Sequence, residues 1–178
     1  MRLLLLSFLL CLMPAQTEWA TAAGNITLFA EAPFGDINAI SEKAQCSLSG
    51  KIVSVSVPVS SFIFSKPMMQ DHFNARYLES DKFPRAVFRG EIGSGFDPAK
   101  EGTQDVRVSG KLRVHGVTRD RVINGKIEVK KDRLVLTADF DVNSADHKIE
   151  VPQIVGTNVC EKIRVRIEAE LTENKKAL

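Results

Sequence analysis

The sequence is poor in the features that mark specialised chains. Its 24 Lys and Arg against 22 Asp and Glu leave a net charge of only +2. The basic residues are scattered, so the electrostatic footprint of a nucleic-acid-binding protein is missing. Gly is 11 and Pro is 7, and no heptad or low-complexity run occurs, which excludes collagen, coiled coil and long disorder. Three cysteines in 178 residues do not make a disulfide scaffold. There is no G-x-S-x-G, no metal-spaced His and Cys cluster, no phosphate-cradling glycine loop and no Cys with an evident His partner. Those absences point away from an enzyme and require no cofactor. Paired acids such as Asp139 and Asp141 fall on the polar side of a strand, where they aid solubility.

No apolar run is long enough to span a bilayer. The one stretch near that class, Leu3 to Met13, is about half of the ~20 residues a transmembrane helix needs. It follows Met1 and Arg2 and precedes Pro14 and the small residues Ala20 to Ala23, the pattern of a secretory leader. The expected division is a leader over residues 1–22 and a single domain over 23–178, exported to a periplasmic or extracellular space without a transmembrane anchor. Cys46 and Cys160 then remain, a candidate disulfide in such a compartment, the alternative being two unpaired thiols. A bridge requires their Cα atoms to lie within about 7 Å.

What is abundant is alternation with a period of two, the signature of strands with one buried face. Val53, Val55, Val57 and Val59 alternate with Ser54, Ser56, Pro58 and Ser60. Phe62 and Phe64 continue the apolar face on the other parity, so a bulge is expected at Ser60-Ser61. Further stripes are Ala86, Phe88 and Ile92; Val106, Val108, Leu112 and Val114; Ile123, Ile127 and Val129; and Leu134, Leu136, Ala138, Phe140 and Val142. The cleanest is Ile163, Val165, Ile167, Ala169 and Leu171. Short turn signals such as Ser49-Gly50, His115-Gly116 and Lys131-Asp132 join antiparallel neighbours. With strands at Asn25 to Glu31 and Ile37 to Ser49, about eight antiparallel strands result.

A β-sandwich and a closed barrel both satisfy this pattern. The segment Pro67 to Tyr77 alone has helical spacing, with Met68, Met69, His72, Phe73, Arg76 and Tyr77 at three- and four-residue steps. A lone helix of that kind suits a plug across a barrel end, although it could also cover one face of a sandwich. The helix inclines the reading, within an all-β class, to an antiparallel eight-stranded barrel with one short helix capping an end, the sandwich remaining the alternative.

Two stretches resemble a known family. Phe62-Ile63-Phe64, then Met69 with His72, then Leu78-Glu79-Ser80-Asp81-Lys82-Phe83-Pro84-Arg85-Ala86-Val87-Phe88 resemble the aromatic strand, short helix and L-x-S-x-x-F-P-x-A-x-F sequence of the YceI-like family of exported lipid-binding proteins. Gly110-Lys111-Leu112-Arg113-Val114-His115-Gly116-Val117-Thr118 is similar to that family's G-x-L-x-I-H-G-V-T. The resemblance implies an all-β, antiparallel eight-stranded lipocalin-like barrel with one short helix capping an end, whose interior takes a polyisoprenoid, a quinone tail or another long-chain amphiphile. The strand Val53 to Phe64 departs from many lipid-binding members in having no histidine.

An apolar tunnel is what such a ligand needs, since each Å² of apolar surface removed from water is worth about 25 cal/mol. Candidates to line it are Val55, Val57, Phe62, Phe64, Met69, Phe73, Tyr77, Phe88, Leu112, Leu136 and Phe140, each of which could equally pack a solid core. Arg76 and Arg119 are candidates to meet an acidic head group. Met68, Met69 and His72 carry soft-metal donors, but adjacent methionines cannot both share a helix face with His72, so no metal site is expected. His115 sits in a turn, and His147 in a polar loop has no visible partner. The function expected is non-enzymatic carriage or sequestration of an isoprenoid or fatty chain. The alternative is a periplasmic stress or protein-interaction module with a solidly packed barrel.

Overall fold

A computed structural model of the chain describes residues 17–31, 36–150, 153–154, 157–158 and 161–174. In chain order the strands are β1 (Glu18–Ala30), β2 (Ile37–Ser49), β3 (Ile52–Pro58), the two-residue β4 (Ile63–Phe64), β5 (Arg85–Ile92), β6 (Gly102–Val114), β7 (Val117–Val129), β8 (Arg133–Asn143), the short β9 (Gln153–Ile154) and β10 (Thr157–Asn158), and β11 (Lys162–Glu173). Eight long strands run in the spatial order β1-β11-β8-β7-β6-β5-β3-β2, and β1 pairs again with β2. That second pairing closes the sheet. A sandwich would leave edges with unpaired backbone groups, and closure removes them.

Alternation is what lets the sheet close around a core. On β11, Ile167, Ala169 and Leu171 are buried and face Ala138, Leu136 and Leu134 of β8 across the ladder. The intervening Arg164 and Arg166 reach Asp139 and Asp141 on the outer surface, with Arg166 Nη2 3.0 Å from Asp139 Oδ2 and Lys162 Nζ 2.7 Å from Asp141 Oδ2. Such exposed pairs are worth little in stability, and their value lies in keeping the outer face wet.

One end of the barrel is packed solid. Ile127, Leu134 and Leu171 are each 1% exposed there. Two glycines facing across β5 and β6, Gly90 and Gly110, bring the strands close: a Cβ on Gly110 would overlap the Arg89 carbonyl oxygen and the Gly90 Cα.

Three features differ from the sequence-based expectation. β1 begins at Glu18 rather than at the expected Asn25; Trp19 and Ala20 pair with Leu48 and Ser47 of β2 and with Glu173 and Thr172 of β11. The parity change near Ser60 is made by a 3₁₀ turn over Val59–Ser61 rather than by a bulge, and Ser61 Oγ donates to the Pro58 carbonyl at 2.6 Å. The helical segment divides into α1 (Pro67–His72) and a π-helical turn over Phe73–Tyr77. A six-residue helix has no stability of its own. It is held by the buried Phe73, whose ring centroid lies 4.9 Å from Phe64 and 5.8 Å from Phe62, and by Leu78, whose amide donates to the Phe73 carbonyl.

Candidate functional site

The other half of the barrel is hollow. A cavity of about 110 Å³ opens there; among the described residues it is lined by hydrocarbon side chains with Ser144 as the one polar side chain. Seven of the candidate lining residues meet in it: Val55, Val57, Phe62, Phe73, Phe88, Leu112 and Phe140. The other four do not line it. Leu136 is buried among the packed residues, Phe64 meets Phe73 at a tilt with ring centroids 4.9 Å apart, and Met69 and Tyr77 are partly buried against the core. Residues that sequence reasoning did not assign to the cavity come mainly from β1 (Ile26, Leu28), β11 (Ile163, Val165, Ile167) and the loop after β8 (Ile149). The stripe on β11 was visible as an inward face. Alternation tells which side of a strand is inside but not at what height along the barrel a residue sits.

The mouth is held by contacts between three loops. Glu79 follows the helical segment with φ +43°, and its carboxylate lies 2.7 Å from His115 Nε2 at the β6–β7 turn. His115 Nδ1 lies 3.2 Å from the His147 carbonyl, and its ring meets Phe83 edge-on at 4.7 Å. His147 is 1% exposed, and its Nδ1 lies 3.1 Å from the Val117 carbonyl. This corrects the sequence-based placing of His147 in a polar loop without a partner: it sits in a 3₁₀ turn, Ser144–His147, tucked under the β6–β7 hairpin. The cavity residues Leu78, Val114, Ser144 and Ile149 flank these contacts in sequence. The Leu78-to-Pro84 stretch thereby ties the helical plug to the hairpin.

Burial pushes the His147 imidazole below the ordinary value of 6.5, an effect opposed by its backbone hydrogen bond to Val117 and by nearby Asp146, while Arg121 reinforces it. The folded state therefore binds fewer protons here than the unfolded chain, and stability is expected to fall as pH drops below about 6.5. Thermal melts between pH 7.5 and 5.5 check this. His147→Gln, which keeps a donor but cannot titrate, is expected to flatten the slope in that window. Glu79, held low chiefly by its hydrogen bond to His115, contributes only at more acidic pH, where its carboxylate protonates and that stabilisation is lost.

The candidate head-group residues are both exposed. Arg76 lies on the π turn, and Arg119 Nε donates to the Asp146 carbonyl at 2.7 Å beside the mouth. Cys46 is a free, buried thiol, pushed up to about 11 by desolvation. It packs beside Gly24 and Ala169 in the solid half. Its candidate partner Cys160 lies outside the described residues.

The same fold occurs in solved structures. A polyisoprenoid-binding domain from Saccharophagus degradans, implicated in plant cell wall breakdown, superposes with a TM-score of 0.76 at 11% identity, covering 89% of this chain and 99% of that one. BcnA of Burkholderia cenocepacia follows at 0.69 and 11%, covering 84% and 96%. The Campylobacter jejuni YCEI protein gives 0.56 and 18%, covering 71% and 74%. At those identities the likeness speaks for the fold. No curated protein sequence matches the chain. The family model of the YceI-like domain, however, matches residues 14–171, nearly the whole barrel, and the chain belongs to that family.

Proposed function

We propose that the protein is an exported, non-enzymatic binding barrel that holds the apolar end of an isoprenoid or fatty amphiphile. The observation that carries this reading is the cavity: hydrocarbon walls with a single polar side chain suit a lipid tail and offer little to a polar ligand. Among the described residues, the cavity lining presents no array of titrating groups of the kind that acid–base or nucleophilic chemistry uses. The family and the polyisoprenoid-binding neighbour support the same ligand class. Arg76 and Arg119, exposed beside the mouth, are the groups we assign to an acidic head. A leader removed on export would have to be cut before Glu18 to leave β1 whole. Native mass spectrometry of protein purified from its own cell envelope tests the reading. The expected result is a co-purifying mass in the polyprenyl or fatty-chain range. A clean apo mass, together with failure to bind an apolar fluorescent probe, would overturn it.

A further inference from the structure

The cavity stops at one level across β3, β5 and β6 and at a facing pair on β1 and β11, while on β8 it ends at Phe140, which faces Val165. On β3 its deepest residue is Val55, on β5 Phe88, on β6 Leu112 and on β11 Ile167, beside Ile26 of β1. These are cross-strand partners: Val55 faces Phe88, Phe88 faces Leu112, and Ile26 faces Ile167. Val53 on β3 and Ala169 on β11, the next inward residues, and Val108 beyond Gly110 on β6 are buried and do not reach the cavity. At this level Phe88 is the largest side chain, and its direction is visible: Phe88 Cζ lies 2.9 Å from where a Cβ on Gly90 would stand. The ring fills the slot that glycine leaves and closes the cavity from below.

We infer that Phe88 is the floor that sets how much of a single chain the barrel accepts, an inference that rests on the lipid-binding reading. An apolar cavity of about 150 Å³ holds one benzene, so the present one matches roughly the last four or five carbons of a tail. The tail enters end first, and the remainder of the chain and its head stay at the mouth. Affinity grows with each methylene only until the chain end meets the ring. Removing the ring opens the slot above Gly90, adding space for roughly four more carbons.

The test is competition by n-alkanoic acids, from propanoic to myristic acid and kept monomeric, against an apolar fluorescent probe. For the native protein, affinity is expected to rise about fourfold per added methylene and then stop rising at one chain length. Phe88→Ala moves that break about four carbons longer, and Val57→Trp, which narrows the cavity nearer the mouth, moves it shorter. A break at the same length in native protein and Phe88→Ala overturns the inference while leaving lipid binding intact. Absence of any alkanoate binding to the native protein overturns the lipid-binding reading itself. Circular dichroism checks that each variant is folded. If Phe88→Ala is not, Phe88→Leu replaces it, with a smaller shift in the same direction expected and an unchanged break again overturning the inference.

Discussion

Gly110→Ala is expected to destabilise the protein by ~3 kcal/mol or more, a loss of roughly 6–12 °C in Tm for a domain of this size. The cause is the approach of β5 and β6. A Cβ at position 110 meets the Arg89 carbonyl oxygen and the Gly90 Cα, both backbone atoms of the facing strand. A flexible side chain could swing aside, but here the ladder must open where Arg89 faces Lys111 and Gly90 faces Gly110. The strain then reaches Phe88 and Leu112 at the cavity floor. Gly93→Ala provides the internal control, because the nearest atom to its added Cβ is the Arg107 carbonyl oxygen at an ordinary 3.5 Å. Thermal unfolding of the two variants decides the matter. If Gly110→Ala melts no lower than Gly93→Ala, the close approach is not a constraint on the fold.

A chain beginning at Gly24 is expected to be at least ~4 kcal/mol less stable than one beginning at Thr17. It lacks Glu18 to Thr21, which pair with Ser49, Leu48, Ser47 and Cys46 of β2, and the contacts of Trp19 and Ala20 with Glu173 and Thr172 of β11. It also lacks the Glu18 carbonyl that accepts from the Asn174 amide at 2.7 Å. Several backbone bonds at about 1 kcal/mol each, with the packing of Trp19 against the core, account for the magnitude. The loss falls on the packed end, where Leu48 and Leu171 are sealed from water. It re-creates two open sheet edges, so aggregation should accompany the lower stability. Denaturant unfolding of the two forms, with intact-mass measurement of the exported protein, checks the prediction. Equal midpoints would mean that these residues are dispensable.

The small residues Ala20, Thr21, Ala22 and Ala23 suit a leader-peptide cleavage site. The same residues can extend a strand, because their small side chains fit where β1 shifts register between Ala20 and Asn25 against β11. Local composition does not distinguish the two. Only the availability of partners on β2 and β11 does.

His147 shows the same limit for the site. Beside Asp146 and Lys148 it reads as exposed, and nothing local signals that the turn folds back under the β6–β7 hairpin. Once there, its ring lies in hydrogen-bonding reach of a carbonyl 30 residues away in sequence.

By itself, the sequence determined that the protein is a barrel-or-sandwich of antiparallel strands, which residues face inward, and that a helical plug with aromatic residues follows the Phe62–Phe64 segment. Those properties depend on a two-residue period and on short turns, which are local. Closure of the sheet, the division of its interior into a packed half and a hollow half, and the placing of Phe88 at the division were decided by tertiary structure. They depend on register and on the height of each residue along the barrel. Those follow from how β1 meets both neighbours and how closely Gly90 and Gly110 let two strands approach, and no periodicity records them.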